Sequence, residues 1–193
     1  MMKLMMFPKM VSSHDEGWAW LMNVHPSVPK MYLLYVAPMA LIPPAMLLYA
    51  ATAYGDTMLG NATMNVLWQV VVLFYVAEML MVPLIGAVIQ RLGKVVDAHA
   101  EYHDAFAFAA VVPTPLWLSA LALFVPNLLF NALVMGGALF VAGMLIYEGS
   151  YRTFQLEDEG KSLLLTGSIL AAGLVAWVTL MGIAFVAWGS ALS

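Results

Sequence analysis

The chain has no cysteine among its 193 residues, and only 9% of its residues are charged. The absence of cysteine excludes disulfides, thiolate metal sites and cysteine nucleophiles. Soluble domains carry about 25% charged residues, so the composition excludes a soluble globular protein. Only seven residues are Lys or Arg, against eleven Asp and Glu, and this shortage of basic residues excludes a nucleic-acid partner.

Long apolar stretches make up most of the chain, which is 64% hydrophobic and has a mean hydropathy of +0.91. A helix needs about 20 apolar residues to cross a bilayer. Five stretches reach that length and predict an all-α polytopic membrane protein, with a cytoplasmic leader at 1–30 and a bundle of five transmembrane helices at 31–190. The predicted spans are about 31–53, 66–89, 105–125, 128–147 and 163–188.

The positive charges predict the orientation of these spans, because short loops rich in Lys and Arg stay in the cytoplasm. All seven lie on one side of the predicted membrane: Lys3, Lys9, Lys30, Arg91, Lys94, Arg152 and Lys161. We therefore predict a cytoplasmic N-terminus, an outside C-terminus and cytoplasmic loops at 90–104 and 148–162.

Glu78 lies near the centre of the second predicted span, where a carboxylate costs about 2.5 to 3.5 kcal/mol on insertion scales. Pro43 and Pro44 fall at a similar depth in span one, and each removes a helical hydrogen bond. Pro83 follows Glu78 in the same span and frees the Met79 carbonyl. The pattern predicts an intramembrane polar site in which a protonated Glu78 donates to a carbonyl of span one.

Two interpretations of this site stay open. Glu78 is either a proton or ion relay beside broken helices, as in transporters, or a neutral acid that ties two kinked helices together. A Glu78→Gln variant separates them, because an amide still forms hydrogen bonds but carries no proton.

A second candidate site lies in the segment Val96 to Phe106. If this segment is helical, His99 and His103 stack at i and i+4 and together with Asp97 form a possible metal site. The alternative is that this segment is the solvent-exposed start of a helix and binds no metal. The loops hold no nucleophile elbow, phosphate loop or pair of catalytic carboxylates, so we expect no enzyme and no cofactor.

Several segments together resemble the Yip family of Ypt- and Rab-interacting five-span membrane proteins, in its bacterial branch. They are Gly17-Trp18-Ala19-Trp20 in the leader, the run from Tyr32 to Pro43, Thr114-Pro115-Leu116-Trp117 in span three, and the acidic turn from Leu156 to Lys161. The resemblance implies a five-helix domain with Thr114, Pro115 and Trp117 as a family motif. The leader lacks the family's Asp-Leu-Tyr-Gly-Pro motif, so a Rab-type GTPase partner does not carry over.

The sequence therefore predicts a multi-pass protein of the bacterial inner membrane that acts as a scaffold or membrane organiser through lateral helix contacts. Its expected partners are the lipid bilayer and either further copies of itself or other membrane proteins. The alternative is a small proton- or ion-coupled transporter or channel built around Glu78.

Overall fold

The computed structural model describes residues 27–58, 64–98, 101–154 and 158–192, and all regular structure within them is helical. The α-helices are α1 (Val28–Met31), α2 (Ala37–Ala40), α3 (Ile42–Met58), α4 (Met64–Val95), α5 (Tyr102–Val111), α6 (Thr114–Ser119), α7 (Leu128–Phe154) and α8 (Glu159–Leu192). A π-helical segment, Tyr32–Val36, joins α1 to α2, and a 3-10 segment, Ala120–Phe124, follows α6.

Five helical units are long and apolar enough to cross a membrane, which confirms the predicted all-α class and the number of spans. Spans 1 to 5 are Val28–Tyr54, Met64–Val95, Tyr102–Phe124, Leu128–Tyr151 and Glu159–Val186, in that order. Most of the predicted leader, residues 1–26, lies outside the described residues, and so do its tryptophans Trp18 and Trp20. The length and composition of the spans do not give their orientation, which stays a prediction.

Prolines decide which spans are continuous. The helix of span 1 is interrupted at Leu41, two residues before Pro43 and Pro44 in the first turn of α3. The helix of span 3 is interrupted between α5 and α6 at Pro113. Both breaks follow from the missing proline N–H and the steric clash of its ring with the preceding turn. Pro83 lies inside α4, which nevertheless continues.

Span 3 lies at the centre of the bundle and span 5 at its edge. In the most apolar window of each span, 56% of the residues are buried in span 3 and only 6% in span 5. Every residue from Ala105 to Val111 is buried. Spans 2 and 3 approach closely at Gly86, where an added Cβ would lie 3.2 Å from the Phe106 Cα, so this contact depends on a glycine.

The segment after span 2 is not one continuous helix. Asp97 has a φ of 60°, and the N–H groups of Asp97 and Ala98 bond to the carbonyls of Lys94 and Gly93, so this is a Schellman motif that ends α4. Glu101 is extended, and the next helix begins only at Tyr102. The condition for stacking His99 and His103 on one helix is therefore not met by the described residues of this segment.

One ion pair joins the two loops that were predicted to be cytoplasmic. The Lys161 ammonium at the start of α8 lies 2.8 Å from the Asp97 carboxylate after α4. This hydrogen bond and the positive charge of Lys161 hold the pKa of Asp97 below its usual value. The pair places the end of span 2 and the start of span 5 at the same end of the bundle.

Candidate functional site

Glu78 is a buried acid near the middle of α4, with 5% of its surface exposed. Its Oε2 has no hydrogen-bond partner among the described residues. The indole of Trp117, from α6 in span 3, lies next to the carboxyl. Glu78 forms no hydrogen bond in the described structure with the Met39 or Ala40 carbonyl, so the predicted donation to span 1 is wrong.

Glu78 borders a cavity of about 500 Å³ that all five spans line. Span 1 contributes Pro43 to the wall of the same cavity. Pro44 is fully buried beside it, whereas Pro83 is not among the residues of the cavity wall. Glu78 is the one ionisable side chain among the described lining residues, and the other walls are alkyl, thioether and aromatic groups.

Tyrosine hydroxyls join spans 1 and 2, and one of them satisfies a carbonyl that a proline leaves free. Pro83 has no N–H for the Met79 carbonyl, and the Tyr32 hydroxyl of span 1 donates to that carbonyl at 3.0 Å. Tyr75, one turn before Glu78, donates to the Ala37 carbonyl of span 1 at 3.2 Å, just before the turn at Leu41. Spans 1 and 2 are thus joined by hydrogen bonds in both directions.

In the Thr114-Pro115-Trp117 motif, a hydroxyl again donates to a carbonyl that a proline leaves free. Pro115 has no N–H for the Val111 carbonyl, and the fully buried Thr114 hydroxyl donates to this carbonyl at 2.7 Å. Since Thr114 has one proton, the Tyr35 hydroxyl of span 1 is the donor in its 2.6 Å contact with Thr114 Oγ1. Trp117 lies two residues beyond Pro115 and presents its indole to Glu78.

Sequence reasoning missed Tyr32, Tyr35 and Tyr75 as members of this arrangement. A signal was present, because hydroxyl-bearing side chains inside apolar spans need hydrogen-bond acceptors, and prolines in neighbouring spans provide free carbonyls. The pairing of each hydroxyl with its carbonyl depends on the relative heights of the spans, which one sequence does not give.

The predicted metal residues do not form one cluster in the described part of the chain. Asp97 is paired with Lys161, and His103 contacts Glu101 at 3.4 Å and Asp104 at 2.9 Å. His99 lies outside the described residues. Glu101, His103 and Asp104 bring three ligand atoms within 4.8 Å of one another, but Glu101 is exposed and the three are consecutive or nearly so in sequence. A metal site stays a prediction.

Comparisons with known proteins agree with the resemblance found in the sequence. The Yip1 domain matches residues 8–180 of this chain. Inner membrane protein YohC from Escherichia coli strain K12 is 28% identical over 167 residues, which cover 84% of this chain and 85% of the relative, and its counterpart in Escherichia coli O6:H1 matches equally. No solved structure matches.

Thr114→Val removes the hydroxyl that bonds to the Tyr35 hydroxyl and to the Val111 carbonyl, and this buried carbonyl then has no donor in place of the missing Pro115 N–H. We expect a loss of about 1–3 kcal/mol in the free energy of unfolding. The measurement is reversible unfolding of the purified protein in mixed detergent micelles. Thr114→Ser keeps the hydroxyl and serves as the control; a Ser variant as unstable as the Val variant would contradict this role.

Proposed function

The chain belongs to the Yip1 domain family, and on that premise we propose that it is a non-enzymatic protein of the bacterial inner membrane that organises the membrane through lateral helix contacts. The location is supported by the five candidate spans and by the name of the Escherichia coli relatives, which are inner membrane proteins. The observation that carries the lateral-contact function is the low burial of span 5 within the chain.

Span 5 offers a surface on which another helix can pack. Only 6% of its most apolar window is buried, although a helix of this length has surface for several neighbours. Gly167, Ala171, Val178 and Gly182 fall within about 60° of one another around the helix axis. An added Cβ at Gly167 or Gly182 would meet nothing within 4 Å, so these glycines are not explained by packing inside the chain. Small residues at such spacing let a second helix approach closely.

We also propose that the N-terminus is cytoplasmic and the C-terminus outside. The support is the placement of all seven Lys and Arg on one side of the spans. The Asp97–Lys161 ion pair is in accord with it, because it brings the two loops predicted to be cytoplasmic to one end of the bundle.

The native chain has no cysteine, so single cysteines report the orientation without background. We expect a membrane-impermeant maleimide to label Pro126→Cys, in the exposed turn between spans 3 and 4, in intact spheroplasts. Glu159→Cys, at the exposed start of α8, should react only after the membrane is permeabilised. The reverse pattern would invert the proposed topology.

Lateral contacts are tested by a photo-crosslinking amino acid at Val178, which is exposed on the small-residue face of span 5. We expect discrete protein adducts in native membranes, and we expect Gly167→Leu to remove most of them because the added side chain keeps a second helix away. A photo-crosslinker at Leu84, exposed on span 2, is the matched control. Adducts with lipid alone at Val178 would argue against the proposal.

The alternative function, a proton- or ion-coupled carrier, is favoured by the position of Glu78 on a cavity lined by all five spans. Proton flux into proteoliposomes separates the two. A membrane organiser gives no flux above that of empty liposomes, with or without Glu78→Gln. Flux in the wild type that disappears in a folded Glu78→Gln variant would replace the organiser with the carrier.

A further inference from the structure

The cavity at Glu78 combines a single acid with aromatic and apolar walls, and we propose that it binds a lipophilic monovalent cation in exchange for the carboxyl proton. This inference deepens the carrier alternative by naming the ligand class of its site. It concerns binding alone, so it holds whether or not the cation crosses the membrane, and it requires no lateral contact.

The size of the cavity fits a small organic molecule. Its volume of about 500 Å³ lies within the range of about 300–1,000 Å³ that is typical of ligand sites. Leu170 and Leu174 of span 5 belong to its wall and are exposed, and the cavity is not fully enclosed. The cavity therefore borders the hydrocarbon phase, which a lipophilic ligand enters directly.

The charge of the ligand follows from Glu78. Its Oε2 points to no donor in the described structure, although the residue is 5% exposed. Without a positive partner, a carboxyl in an apolar site favours its neutral form. A bound cation supplies that partner, so the acid releases one proton as the cation enters, and the net charge of the site does not change.

No other group among the described lining residues can take over this exchange. Span 1 contributes Pro43, and the wall residues of spans 3, 4 and 5 include no acid, base, histidine or tyrosine. Tyr75, one turn from Glu78, donates a hydrogen bond to the Ala37 carbonyl and is not among the residues of the cavity wall.

The aromatic walls select for a cation with an organic surface. Four of the lining residues are aromatic, namely Phe74, Phe108, Trp117 and Trp177. Ring faces attract cations, and the attraction is larger where water is excluded. A hydrated inorganic ion would lose its water shell against these walls and gain one carboxylate in return, whereas a lipophilic cation has little hydration to lose.

The test uses tetraphenylphosphonium and tetraphenylborate, two ions of similar shape and opposite charge, with the full chain in lipid nanodiscs. We expect saturable binding of the phosphonium with release of one proton, measured by titration calorimetry in two buffers of different ionisation enthalpy. The affinity should fall by up to tenfold for each pH unit of acidification, because protons compete for the carboxyl. Equal binding of the borate would overturn the proposal.

Two variants locate the site. Glu78→Gln should weaken phosphonium binding at least tenfold and abolish proton release, whereas Glu159→Gln, an exposed acid outside the cavity, should change neither. Ala142→Leu fills the cavity from span 4 and should also block binding while Glu78 is retained. Unchanged binding in a folded Glu78→Gln or Ala142→Leu protein would overturn the proposal. If both variants fail to fold, the comparison of the two ions and the proton count decide it.

Failure of this proposal is distinguishable from failure of the proposed functions. The Val178 adducts and the proton flux of proteoliposomes are measured independently of phosphonium binding, so a failure to bind phosphonium does not decide either of them. A carrier of protons or inorganic ions would show flux without phosphonium binding, and a membrane organiser would show adducts without either.

Discussion

The arrangement of spans 1 to 3 depends on one constraint: a backbone carbonyl that loses its helical partner inside a membrane must find another donor. Pro83 frees the Met79 carbonyl and Pro115 frees that of Val111, and hydroxyls of Tyr32 and Thr114 bond to them. Tyr35 then bonds to Thr114, so span 1 holds both of its neighbours. The carbonyls that prolines free become the points at which the spans are joined.

The helix breaks in spans 1 and 3 set the surroundings of Glu78. Because α6 starts again after Pro113, Trp117 is presented to the carboxyl, and the turn before Pro43 brings that proline to the wall of the cavity. The spans thus surround a site with one acid and apolar walls. Span 5 closes this site from one side while most of its own surface stays outside the bundle. Ligand binding and lateral contact therefore both involve span 5.

The spans and the family were predictable from sequence because both depend on local properties: continuous apolar length, and motifs such as Thr114-Pro115-Trp117 in their order. The burial of Glu78 and the freed Met79 carbonyl were also predictable, since each follows from one residue within one span. The partner of Glu78 was not, because Trp117 comes from another span at a height that the sequence does not specify. The end of α4 at Asp97 was not predictable either, because it depends on a left-handed backbone that the helical spacing of the histidines does not reveal.

The central claim is that hydroxyls of one span replace the hydrogen bonds that prolines remove from another, and a double-mutant cycle of Tyr32 and Pro83 tests it most directly. Pro83→Ala restores an N–H that can bond to the Met79 carbonyl within α4, which makes the Tyr32 hydroxyl dispensable. In the wild type, Tyr32→Phe should cost up to about 1.7 kcal/mol of unfolding free energy, the upper end for hydrogen bonds between membrane helices. In the Pro83→Ala background the cost should be close to zero. An equal cost in both backgrounds would contradict the claim.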